Sequence, residues 1–165
     1  MAEKAIFTGK EVSFLKELHK QGVDYMIVGA AAAALQGAPI VTQDIDLWFR
    51  DLADPALGRA VAKVGGVIVP SVGPHPPTFA GGAVELFDIV LTMHGLGSFD
   101  EERKHSFLID LGALPVRILA LDRIIKSKET VGRPKDVLTL PVLRDALAAI
   151  KKNKAPKRRR AKKAV

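Results

Sequence analysis

The chain has 165 residues, 48% hydrophobic and 26% charged, which suits one domain with its own core and excludes a fibrous or wholly disordered protein. It has no cysteine, so a disulfide framework and a thiolate metal site are both excluded, as fits a reducing cytoplasm. The net charge of +7 belongs to one end: residues 151–165 hold nine of the 25 Lys and Arg and no acid, leaving 16 basic against 18 acidic residues before them.

The first residues carry no apolar run after their charges, and nowhere does an uninterrupted apolar stretch approach roughly 18 residues. The expectation is a cytoplasmic protein, neither exported nor membrane-spanning. Thr8-Gly9-Lys10-Glu11 has the spacing of a capping box, and Val12, Leu15 and Leu18 follow at helical intervals, with Gly22 as the stop. His19, at the edge of that stripe, reads as structural.

An apolar strand over 25–28 then meets Gly29, a short alanine-rich helix, a turn around Gly37 and Pro39, and a second strand carrying Asp44 and Asp46. Successive side chains of a strand point to opposite faces, so the two aspartates share one face while Ile45 and Leu47 anchor the other. Aspartate is disfavoured in strands, and two like charges about 4 Å apart repel by roughly 1 to 4 kcal/mol at surface-like dielectrics. A hard divalent cation held by carboxylate oxygens, shared with a substrate's phosphates, would balance them. Gly29 allows close backbone approach to a ligand, and the free amides after it suit a phosphate. Neither a dinucleotide-binding glycine pattern nor a P-loop lysine accompanies it.

Asp54-Pro55 reads as an N-cap and first-turn proline, with Leu57, Val61 and Val64 facing the core. Residues 67–70 predict a strand, and the proline- and glycine-rich residues 71–82 a loop bordering a pocket, with His75 incidental. Residues 84–91 (VELFDIVL) predict a buried strand whose one carboxylate, Asp88, needs either an arginine partner or a metal. The charges from Asp100 to His105 read as solvated surface, and neither His94 nor His105 has a partner at zinc-ligand spacing. Residues 115–119 predict a strand near a sheet edge, since proline cannot donate to a ladder. Two helical segments follow; Pro141 is expected to kink or divide the second, and Leu143, Leu147 and Ile150 give it a packing stripe. Together these elements predict an α/β or α+β domain on a mixed sheet over 1–150, then a disordered basic tail over 151–165. That tail is either solubilising or a non-specific nucleic-acid tether.

The ordered set Gly29-Ala30, Gly37-Ala38-Pro39-Ile40-Val41-Thr42-Gln43-Asp44-Ile45-Asp46, then Asp88, resembles the polymerase-beta-like nucleotidyltransferases. The likeness is to small bacterial members related to abortive-infection and toxin-antitoxin systems. It extends over residues 23–147, where Lys126, Lys128 and Arg133-Pro134-Lys135-Asp136 are similar to the family's helical "K" and "R-x-K-D" positions. The resemblance implies a nucleotidyltransferase-like mixed sheet flanked by helices, with a C-terminal helical segment. It also implies two Mg2+ ions (Mn2+ as the alternative) held by the catalytic Asp44, Asp46 and Asp88. Gly29, Ala30 and Lys128 would contact the nucleoside triphosphate, and Thr42, Arg133 and Lys135 phosphate or acceptor. The rival reading of Lys128 is a solvated lysine. Two positions depart from the pattern: Ala30 stands for serine or glycine, and Ile40 for arginine.

The implied function is transfer of a nucleoside monophosphate to RNA, a tRNA end among the candidates, or to a protein hydroxyl. The tail would recruit RNA, and an antitoxin-like protein is a candidate partner. The alternatives are a binding module of the same fold that has lost turnover, and a hydrolase using the same aspartates.

Overall fold

The structure, a computed structural model, describes residues 7–155. In chain order its elements are α1 (Gly9–Lys20), β1 (Tyr25–Val28), α2 (Gly29–Leu35), β2 (Ile45–Phe49), α3 (Pro55–Lys63), β3 (Val67–Val69) and β4 (Thr78–Ala80). A 3-10 turn (Gly82–Val84) leads to β5 (Phe87–Val90), α4 (Phe99–Arg103), β6 (Ser106–Leu111), β7 (Leu114–Leu119), α5 (Leu121–Val131) and α6 (Pro134–Lys154). Five strands form one sheet in the order β5-β2-β1-β7-β6, and β3 with β4 makes a separate antiparallel ribbon. Strand β1 runs antiparallel to β2 and parallel to β7, while β5 is parallel to β2 and β6 antiparallel to β7. This is the mixed sheet with flanking helices and a C-terminal helix that the sequence predicts.

Period-two alternation gives the sheet two different faces. Tyr25, Ile27, Ile45, Leu47, Phe49, Phe87 and Ile89 lie on one of them, covered by α1. There Phe14 of α1 meets Phe87 edge-on at 5.0 Å and Phe79 at 5.6 Å, with Phe49 against Phe79. Met26, Val28, Asp46, Trp48, Asp88 and Val90 share the other face, where Trp48 packs edge-on against Phe99 of α4 at 5.6 Å. Helix α1 starts at its capping box, the Thr8 amide donating to Glu11 Oε2 at 2.7 Å. Helix α2 buries Ala31 to Ala34, side chains small enough to let it lie close on β1 and β2 and against α5.

Several local expectations change. His19 is exposed. The loop over 71–82 contains β4, paired with β3, and does not line the cleft described below. The strand expected over 84–91 begins only at Phe87, because Gly82–Val84 forms the 3-10 turn. Within the charged surface of 100–105, Glu102 is buried: Arg123 donates to both its oxygens, at 2.8 and 2.7 Å, and the Gly97 amide to Oε1 at 3.0 Å. The Arg123 hydrogen bonds hold its carboxyl below the usual range despite burial. The residues after it form the edge strand β6, which leaves β7, with Pro115, second from the edge. Helix α6 runs unbroken through Pro141 to Lys154, four residues into the expected tail; the tail from 156 onward lies outside the described residues. No helix among the described residues is long and apolar enough to cross a membrane.

Candidate active site

Strands β1, β2 and β5 place the acidic side chains. Asp46 lies opposite Val28 on one side and opposite Asp88 on the other, so the two carboxylates occupy neighbouring positions on one face. Asp44 stands just before β2, where the Thr42 hydroxyl donates to its backbone carbonyl at 2.9 Å. Asp88 is exposed, because β5 is the edge strand and its inward positions are Phe87 and Ile89. The burial expected for it, and with it the need for a buried arginine partner, is therefore corrected: Asp88 faces solvent beside Asp46.

Gly29 explains how Asp46 fits. Its φ is +63°, in the left-handed region, and a Cβ built on it would run into the Asp46 carboxylate. The sharp exit from β1 thus lets a side chain from the neighbouring strand lie against the backbone at the start of α2.

A cleft of about 300 Å³ opens on this face. Val28, Gly29, Asp46 and Val90 form its sheet wall, and Ile124, Ser127, Lys128 and Val131 of α5, with Arg133, its helix wall. Thr92, Met93 and His94, from the loop after β5, close one end. Of the residues singled out from sequence, the cleft gathers Gly29, Asp46, Lys128 and Arg133. Ala30, Thr42, Asp44, Asp88 and Lys135 lie outside its lining. Sequence reading missed Thr92, His94 and Ser127, which share no motif and meet only through the tertiary fold.

The electrostatics of the two walls are distinct. Burial, then the charge of Asp88, pushes the Asp46 carboxyl up to about 6; Asp44 adds to the rise, while Lys128 and Lys135 oppose it. Asp88 is also raised, by partial burial and by Asp44. Opposite them, Asp136 is fully buried and accepts from Lys128 Nζ at 2.9 Å and from Arg133 Nε at 2.7 Å. Burial opposes its ionisation, yet the Arg133 and Lys128 hydrogen bonds outweigh it and hold the carboxyl at about 2. Through these two contacts Asp136 joins α6 to α5.

The donor set of neighbouring carboxylates fits a hard divalent cation: oxygen ligands only, and like-charged. Among the described residues, however, no three His, Cys, Asp or Glu side chains are gathered into a ready-made metal cluster. Asp46 and Asp88 are cross-strand neighbours and Asp44 precedes Asp46 by two residues.

No family model matches the chain, and no curated protein matches it in sequence. Its fold does match solved structures. ANT(2'')-Ia, seen in a crystal structure in complex with adenylyl-2''-tobramycin, aligns with a TM-score of 0.58 at 19% identity, over 85% of this chain and 88% of that one. A candidate nucleotidyltransferase from Thermotoga maritima aligns with a TM-score of 0.56 at 16% identity, over 84% and 90% of the two chains. An antigenic nucleotidyltransferase-like protein of Paracoccidioides brasiliensis aligns with a TM-score of 0.50 at 18% identity, over 88% of each chain. The chain therefore has the nucleotidyltransferase fold.

Proposed function

We infer that this chain transfers a nucleoside monophosphate from a nucleoside triphosphate to an acceptor hydroxyl. The observation that carries this reading is the pairing of Asp46 with Asp88 across β2 and β5, above Gly29 and opposite a cationic wall. Asp44, Asp46 and Asp88 would hold Mg2+ or Mn2+, which when bound neutralises charge developing on the reacting phosphate. Lys128, Arg133 and Gly29 line the cleft where the triphosphate would lie, and the half-buried Ala30 that follows would offer its main-chain amide. Asp88, exposed and with a raised pKa, would take the proton of the attacking hydroxyl. The new bond joins the acceptor oxygen to the α-phosphorus; the bond from that phosphorus to the bridging oxygen breaks, and pyrophosphate leaves. Lys135 and Thr42, outside the cleft lining, are left for the acceptor side.

RNA, a protein hydroxyl and, by analogy with the adenylyl-tobramycin complex, a small-molecule hydroxyl are the acceptors to compare. The resemblance to toxin-antitoxin members is the ground for testing a neutralising protein partner as well. Labelled nucleoside triphosphates with Mg2+ should label one acceptor class, and Asp44→Ala with Asp46→Ala should abolish it. Equal labelling by the double variant would end the catalytic assignment. One observation favours the second reading, a fold that binds without turnover: Ile40, where the family resemblance has arginine, packs partly buried against the core. Under that reading triphosphate binds and no acceptor is labelled.

A further inference from the structure

The ion pairs of the cleft are unevenly shared. Asp136 is fully buried, and both of its oxygens are engaged, Oδ1 by Lys128 Nζ and Oδ2 by Arg133 Nε. A third contact, from the second arm of the Arg133 guanidinium to Oδ1, is longer, at 3.4 Å. The two cations come from either side of the left-handed Gly132 turn that separates α5 from α6. Asp46 and Lys128 line the same cleft, yet among the described residues no cation lies within ion-pair distance of Asp46. Two acids therefore compete for one ammonium on a flexible four-carbon stem, and Asp136 holds it. A buried ion pair is weak evidence for stability, since apolar residues of the same volume often serve as well. What the triad does secure is the place of the ammonium.

We propose that Asp136 is a positioning residue that keeps Lys128 off Asp46, and so keeps the acidic wall of the cleft open to a divalent cation. Without the Asp136 charge, Lys128 is free to turn across the cleft to Asp46, and the protein supplies Asp46 with a counter-ion of its own. The proposal rests on the reading of Asp44, Asp46 and Asp88 as cation ligands, and its test separates the two.

The test is Mn2+ binding to the full chain without nucleotide, followed by the loss of the free-ion paramagnetic resonance signal. Asp136→Asn should weaken Mn2+ binding about tenfold, and adding Lys128→Met to it should restore the wild-type affinity to within about twofold. Asp136→Glu, which keeps the charge, should bind as wild type. Asp136→Ser serves as the second uncharged variant should the asparagine fail to fold. Lys128→Met alone needs no change at Asp136 and should bind Mn2+ at least as tightly as wild type. Unchanged binding in Asp136→Asn or Asp136→Ser overturns the proposal, as does a double variant as weak as the single one or loss of binding in Lys128→Met. If wild type and Asp46→Ala bind Mn2+ equally, the ligand assignment itself is wrong, and the proposal falls with it.

Discussion

On the sheet wall of the cleft, Asp46 is pushed up to about 6 by burial and by neighbouring carboxylates; behind the helix wall Asp136, with no exposed surface, is held at about 2. Both are aspartates in a protein interior, and burial raises both. The difference is the company each keeps. Asp136 has one lysine and one arginine within hydrogen-bond reach, whereas Asp46 has Asp88 beside it across the ladder and Asp44 two residues before it. The helix wall is electrostatically complete and serves to hold shape. The sheet wall carries excess negative charge that a proton or a cation would relieve, and such imbalance is commonest where a protein does chemistry.

The largest expected effect breaks the sheet wall. On the proposed function, Asp46→Asn should lower nucleotidyl transfer by at least about a hundredfold, since charge neutralisation would lose one of its carboxylates. The same change should stabilise the metal-free protein. Asp46 has a folded pKa near 6 against an unfolded value of 3.8, so its ionised form opposes folding at neutral pH. A shift of that size corresponds to about 1 to 3 kcal/mol at pH 7, present in full above pH 6 and gone as the pH falls below 4. Urea unfolding at pH 7 and at pH 4 reads both ends, and a variant less stable than wild type at pH 7 would show that Asp46 is held by partners after all.

The helix wall should respond with the opposite sign. Removing the shared acid by Asp136→Ala should cost about 2 to 3 kcal/mol at pH 7. That is less than for a fully desolvated pair, because Arg133 is half exposed. The folded pKa of Asp136 is depressed, so its contribution is present above the unfolded value of 3.8 and fades as the pH falls toward 2. Unfolding curves for wild type and variant should therefore converge in acid, whereas those for Asp46→Asn converge on the same side for the opposite reason. A pH-independent gap at Asp136 would mean that packing, not charge, is what the alanine removes.

The sheet wall was largely legible from sequence, and the helix wall was not. Asp44, Asp46 and Gly29 lie in one stretch, where strand alternation and a glycine at a strand end carry their own geometry. Asp88 was singled out on a burial it lacks: its apolar neighbours read as a buried strand, but only the alternate positions Phe87 and Ile89 face the core, and β5 lies at the sheet edge. Glu102 read as a surface acid, and nothing local marks its burial or that of Asp136. Their pairing to Arg123 and to Lys128 crosses 21 and eight residues and depends on how α5 packs. Strand β6 was hidden by the charges before it, and Thr92, His94 and Ser127 enter the cleft only through the loop and helix that frame it.

The smallest effect lies outside both walls and shows what unused strain looks like. Gly29 and Ala113 both adopt left-handed backbone, with φ of +63° and +73°. At Gly29 the conformation brings Asp46 against the backbone, and the residue that occupies it has no Cβ. Ala113 follows Gly112 in the two-residue turn joining β6 to β7, where both positions have positive φ, as a type I′ hairpin turn requires. An alanine there costs roughly 1 kcal/mol that a glycine does not, offset in part by glycine's greater freedom in the unfolded chain. Ala113→Gly should therefore raise stability by about 0.5 kcal/mol in urea unfolding and leave transfer unchanged, because that turn touches neither wall. A change in activity at Ala113 would instead couple the β6–β7 hairpin to the cleft, and the two walls could no longer be treated as the whole site.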